Sequence, residues 1–142
     1  MKKISFFAFA LSAIALTSAC KTTKQKENMT EKELSGKWTI TAVNNKEVKA
    51  DKTLFIDFMP ENRVHAEVGC NLYNNTYVYD AEANSLTFSP NGQMTMMMCP
   101  DMNTETAIVS ALNATSKVAK ATTANCINLL NEKGDTVLTL CK

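Results

Sequence analysis

The stretch Cys126-Ile127-Asn128-Leu129-Leu130-Asn131-Glu132-Lys133-Gly134-Asp135-Thr136-Val137-Leu138-Thr139-Leu140-Cys141 decides the fold. Its two ends alternate apolar and polar residues with a period of two, and Lys133-Gly134 supplies a turn between them, so Cys126–Asn131 and Asp135–Cys141 are predicted to form an antiparallel hairpin. In the register centred on that turn Cys126 lies directly opposite Cys141. Ile127, Leu129, Leu138 and Leu140 then share one face as core, while Cys126, Asn128, Thr139 and Cys141 share the other. A disulfide between the two cysteines closes the hairpin.

The same alternation recurs upstream. Trp38, Ile40 and Ala42 mark one strand. Leu54, Ile56 and Phe58 mark a second, Val64, Ala66 and Val68 a third, Tyr77 and Tyr79 a fourth after Asn74-Asn75, and Leu86 and Phe88 a fifth. One segment departs from this period. Ala107, Ile108, Ala111, Leu112 and Ala114 fall at helical spacing, preceded by the cap candidates Asp101, Asn103 and Thr104, with Glu105 in the first turn. A helix is predicted over Thr104–Lys117. The fold class that follows is mainly β with one helix (α+β). It is an antiparallel curled sheet, or a partly open β-barrel, packed on that helix so that each amphipathic element buries its apolar side.

At the other end of the chain, Lys2 and Lys3 precede the apolar run Ile4–Leu16, and Thr17, Ser18 and Ala19 lead into Cys20. This is the pattern of an export signal, 1–19, too short for a permanent span. A small-residue site followed at once by Cys resembles the lipobox of bacterial lipoproteins, with Thr17 where a larger apolar residue is usual, so Cys20 is the expected lipidation site. Two or three acyl chains hold a protein stably at a bilayer. Residues 20–33 carry Lys21, Lys24, Lys26 and Lys32 against Glu27, Glu31 and Glu33, with Met29 as almost the only apolar side chain, and are expected to be a flexible tether. The folded domain is placed at 34–142, anchored at a cell-envelope membrane, the outer membrane in a Gram-negative bacterium.

Export fits the cysteines. Besides Cys20 there are four, and with Cys126 assigned to Cys141 the remaining bridge is Cys70 to Cys99. Closing loops of about 16 and about 30 residues is worth about 3 and about 3.6 kcal/mol in the chain-entropy account. The rest of the composition excludes functions. A net charge of +1 gives no electrostatic footprint for nucleic acid. Gly36, Gly69, Gly92 and Gly134 are isolated, so no phosphate-cradling loop is present and no cofactor is expected. His65 is the only histidine and is placed on the solvent face of its strand with Glu67, so there is no nucleophile–imidazole pair and no zinc-ligand spacing. No catalytic residue is assigned.

Three pieces occur in order: Gly69-Cys70-Asn71 after a strand, then Thr95-Met96-Met97-Met98-Cys99, then Glu105 three residues before Ile108 and seven before Leu112 on the helix. Together with Trp38 and the closing hairpin they resemble the META domain, also called the HslJ family, over about Leu34–Lys142. The resemblance implies a short envelope lipoprotein linked to heat shock and antibiotic tolerance, without enzymatic activity, and a motif made of Gly69, Cys70, Asn71, Thr95, Met97, Met98, Cys99 and Glu105. Relatives in trypanosomatid parasites are linked to virulence. The family usually has Arg where this chain has Met96, and Arg or Lys is frequent where it has Leu72 and Tyr73. An anion site resting on those cations is therefore not carried over.

Three functional readings follow. The first is a non-enzymatic envelope lipoprotein that binds an unidentified protein or small molecule during stress, with the membrane itself as a partner through the lipid. The second is a protein-binding module similar to lysozyme inhibitors. The third is a Cu(I) site, because Met94, Met96, Met97, Met98 and Met102 place five of eight methionines within nine residues and thioethers suit soft ions. Met94, Met96, Met98 and Met102 are its ligand candidates. Against it, methionine is a common filler of irregular cores, and that is the expected role of this run. Gly69 and Asn71 are expected to serve a bulge or strand end through left-handed backbone. Glu105 is expected to face the helix dipole. Tyr73, Tyr77 and Tyr79 are expected to line an exposed aromatic patch that suits a protein partner.

Overall fold

The computed structural model describes residues 28–142. The signal segment 1–19, Cys20 and the tether as far as Glu27 lie outside the described residues. The elements, in order, are α1 (Glu31–Leu34), β1 (Gly36–Val43), β2 (Lys46–Glu47), β3 (Phe55–Met59), β4 (Arg63–Glu67), β5 (Leu72–Asp80), β6 (Ser85–Phe88), β7 (Gln93–Met94), α2 (Met102–Ala114), β8 (Lys117–Lys120), β9 (Cys126–Leu130) and β10 (Thr136–Cys141).

The closing hairpin has the expected register, Cys126 opposite Cys141, Ile127 opposite Leu140 and Leu129 opposite Leu138. A shift between Thr136 and Leu138 ends it at the turn. Ile127, Leu129, Leu138 and Leu140 are buried, as the alternation requires. β10 then pairs with β1, Ile40 opposite Leu140. This contact converts the sheet into a closed eight-stranded barrel, β1-β3-β4-β5-β6-β8-β9-β10, rather than a partly open one. Closure leaves these strands without a free edge. β2 and β7 are short extensions on β1 and β5.

The barrel is filled by its own side chains, among them Trp38, Ile56, Phe58, Val64, Leu86, Leu129 and Leu138. The helix α2 packs on β1, β6 and β10, burying Ile108, Ala111 and Leu112. It begins two residues before the expected start because the Asp101 carboxylate accepts the Thr104 amide at 3.1 Å and so caps the first turn. It ends three residues early because Thr115 leaves helical backbone and Ser116 already bonds into the sheet, its N–H donating to the Leu130 carbonyl at 2.8 Å. β8, which follows, carries a single fully buried apolar residue, Val118, and offers no alternation to read.

Two further expectations are corrected. The strand expected after Asn74-Asn75 starts earlier, at Leu72, and takes in both asparagines as part of β5. The Asn75 side chain donates to the Ser89 carbonyl at 2.8 Å, and Asn74 Oδ1 lies 2.8 Å from His65 Nδ1. A tight turn is made by Asn44-Asn45, both at positive φ, between β1 and β2. Tyr73 is buried, and Tyr77 and Tyr79 pack half-buried against the core, so no exposed aromatic patch forms.

Residues 28–33, placed in the flexible tether, belong to the folded unit. Met29 is 2% exposed within the core, its N–H donates to Asn84 Oδ1, and its carbonyl accepts from the Tyr79 hydroxyl. Thr30 and Glu33 form a reciprocal capping box on α1. One buried methionine among charged residues carries too little periodicity to announce this. The bond from the Thr30 amide, reinforced by the Lys120 ammonium 3.0 Å away, lowers the Glu33 carboxyl from 4.5 to about 2.

Two outcomes follow. Met29→Ala is expected to destabilise the domain by about 2–4 kcal/mol in urea unfolding, where a tether residue would have no effect. A depressed carboxyl contributes stability above its unfolded value and loses it on acidification, so the α1 cap is expected to weaken between pH 4.5 and about 2. An NMR titration reads this as a Glu33 midpoint near 2 accompanied by movement of the Thr30 amide.

Candidate functional site

The Asn71 carboxamide lies where three separate segments meet at one end of the barrel. Gly69-Cys70-Asn71 leaves β4, Thr95–Cys99 follows β7, and Glu105 stands in the first turn of α2. Asn71 is 1% exposed. Its Oδ1 accepts from Thr95 Oγ1 and from the Met97 amide, both at 2.8 Å. Its Nδ2 donates to the Met97 carbonyl at 3.0 Å and to both carboxylate oxygens of Glu105 at 3.0 Å, with Cys99 Sγ at 3.3 Å. Thr95 Oγ1 accepts in turn from the Leu72 amide at 3.0 Å. Donating to and accepting from the same residue, Met97, is how a side-chain amide imitates a strand and fixes an irregular segment.

The Cys70–Cys99 disulfide lies across this junction, and Cys126–Cys141 joins β9 to β10. The connectivity is the one the hairpin register assigned. Cys70, Cys99 and Glu105 bring their ligand atoms within 4.8 Å of one another, but two sulfurs bonded to each other offer no thiolate.

Glu105 stands in the first turn of α2, as expected of a carboxylate facing the helix dipole, and is also buried, 1% exposed. Among the described residues its hydrogen-bond donor is Asn71, and no Lys or Arg forms an ion pair with it. The roles of Gly69 and Asn71 are corrected. Neither has left-handed backbone. Gly69 is required because a Cβ there would lie 2.7 Å from Glu105 Oε2, an atom that Asn71 holds in place. Every buried side-chain nitrogen and oxygen among the described residues has a partner.

The methionines are divided. Met94 is half-buried against the core opposite Tyr73. Met96, Met97, Met98 and Met102 are exposed by 85%, 55%, 95% and 43%, which overturns their expected role as core filler. The Asn71 bonds and the disulfide explain this. They hold the segment by its backbone, so its side chains are not needed for packing. His65 sits on β4 beside Phe55, apart from this cluster. Next to the disulfide an open cleft of about 340 Å³ is lined by Lys49, Lys52, Leu54, Gly69, Pro100 and Thr104, among others. Sequence reasoning did not name Lys49, Lys52 or Pro100, because they reach the cleft only through the contact between the loop before β3 and the start of α2.

A model of the META domain matches residues 27–142, which spans the barrel, the motif and α2. The chain belongs to the META-domain family. Solved structures share the fold. One structure determined by NMR is 22% identical, with 80% of this chain and 95% of that one covered and a TM-score of 0.59. An NMR structure from Burkholderia xenovorans is 20% identical, covering 75% and 81%, with a TM-score of 0.58. A crystal structure of a DUF4847 family protein from Bacteroides vulgatus is 14% identical, covering 75% and 92%, with a TM-score of 0.54. No curated protein sequence matches. The META motif of this chain is thus a set of residues whose polar atoms are used on each other.

Removing the Asn71 carboxamide leaves the Glu105 carboxylate and the Met97 peptide without their partner. Asn71→Ala is therefore expected to cost at least about 2 kcal/mol in urea unfolding. Gly69→Ala is expected to cost about 1–3 kcal/mol by overcrowding, and less in a Glu105→Ala background, because Oε2 and Cγ have then been removed.

Proposed function

We propose that this META-domain chain is a non-enzymatic lipoprotein of the bacterial cell envelope, anchored through Cys20, that binds a partner during envelope stress and so contributes to heat or antibiotic tolerance. One observation carries the reading. The barrel interior is packed with side chains and the buried polar groups of the motif satisfy one another, so the outer surface is left for recognition. A catalytic centre needs polar groups converging on a site that substrate can enter. Here Glu105 and Asn71 converge on each other.

The cleft beside Cys70–Cys99 supports a contact with another protein, since its walls are largely apolar and Lys49 and Lys52 stand at its edge. Apolar ground with a charged rim is the composition of recognition surfaces. The alternative reading, a protein-binding module similar to lysozyme inhibitors, would use the same cleft. Two covalent bridges rigidify the surface in advance, which reduces the ordering cost of association.

Three measurements test the reading. Intact mass of the protein from its own envelope is expected to show acylation at Cys20 and four hydrogens fewer than the reduced chain. Deleting the gene is expected to lower survival under heat, wall-active antibiotics or lysozyme, and equal survival across such conditions ends the stress role. Pull-down with the oxidised domain is expected to recover an envelope protein, and Lys49→Glu together with Lys52→Glu to weaken that recovery at low salt.

A further inference from the structure

Four thioethers stand in solvent within seven residues of chain, at Met96, Met97, Met98 and Met102, while nearly every other large apolar side chain among the described residues is buried or half-buried, Leu72 and Val78 excepted. We propose that this loop binds one soft monovalent metal ion, Cu(I) or its analogue Ag(I), through the sulfurs of Met96, Met98 and Met102. None of the three lines the neighbouring cleft, whose wall is formed here by Cys99, Pro100 and Asp101.

Three observations support it. First, the loop backbone is already fixed. Asn71 holds Met97 at both N–H and carbonyl, and the disulfide holds Cys99, so a ligand set carried on this segment is organised before the ion arrives. Secondly, the three residues lie close together along the chain, on long side chains free to turn toward one ion. The Cα atoms of Met96 and Met98 are at most about 7 Å apart along the chain, and each bears a long unbranched side chain. Met102 Sδ lies 3.4 Å from the Cys99 amide, which brings the first turn of α2 back to the residue after Met98. Thirdly, the chemistry selects the ion. Thioethers are neutral soft donors that suit Cu(I), whereas Zn(II), Mg(II) and Ca(II) need imidazole, thiolate or oxygen ligands. The only histidine is on β4 against Asn74, both sulfurs next to the loop are in a disulfide, and the Asp101 carboxylate is engaged by Thr104. Met94, a candidate in the sequence, drops out because it packs on the core.

The test uses the exported chain with both disulfides intact and no thiol present. Ag(I) is titrated into protein labelled with ¹³C at the methionine methyls, and Cu(I), supplied anaerobically, is titrated against a chromogenic Cu(I) chelator. The expected result is one ion per chain, with methyl shifts at Met96, Met98 and Met102 and none at the buried Met29. The Met96→Leu, Met98→Leu, Met102→Leu triple variant is expected to lose at least ~10-fold in Cu(I) affinity. Because all three side chains are exposed, its urea midpoint is expected to stay put. Absence of shifts with Ag(I), unchanged affinity in the triple variant, or binding that appears only after Cys70–Cys99 is reduced would each overturn the proposal. The last of these would assign the ion to Cys70, Cys99 and Glu105 instead. The shift map on the unmodified chain keeps the test decisive should the variant fail to fold.

Discussion

The side chain of Asn71 joins the exit of β4, the segment after β7 and the first turn of α2 through one buried carboxamide. Each segment taken alone would bury polar backbone or charge without a partner, at a cost of about 1–3 kcal/mol per group. Together they are satisfied. The space for this arrangement exists because Gly69 has no side chain, and the Cys70–Cys99 bridge keeps the pieces from separating. The end of the barrel where the cleft opens thus has its shape set by this junction, whose Gly69, Cys70 and Cys99 also line the cleft.

That division between support and surface explains the unusual placement of apolar residues. Elsewhere in the barrel a side chain such as Phe58 or Leu138 is buried because burying it stabilises the fold. At Met96–Met98 the backbone bonds and the disulfide do that work, and the side chains are left in water. Exposed apolar groups on a rigid support are a feature of recognition sites more than of stability.

Much of the architecture was legible because the strands alternate strictly. The register of β9 and β10, the buried faces of β3 and β4 and of β1 as far as Ile40, and both disulfides follow from period-two patterning and the placement of four cysteines, whereas the irregularity after Ile40 buries Val43 in place of Ala42. The helix was legible in existence but displaced at both ends, since Asp101 and Thr115 act through hydrogen bonds that residue type alone does not rank. β8 was not legible, having one buried residue in four. Met29 was not legible either, because its burial depends on Asn84 and Tyr79, 55 and 50 residues away in sequence.

The candidate site divides along the same line. Sequence by itself determined the fold class, the cysteine pairing, the signal-like start and the motif Gly69-Cys70-Asn71, Thr95–Cys99, Glu105, since each is a local pattern or a matter of counting. Only the tertiary structure decided what the motif does. That Glu105 is buried, that Gly69 makes room for it, that Asn71 is the common partner and that Met96–Met98 are left in solvent all depend on contacts between segments distant in the chain. Closure of the barrel by β1 and β10 belongs with them, because alternation tells each strand which face to bury and says nothing of the strand that will lie beside it.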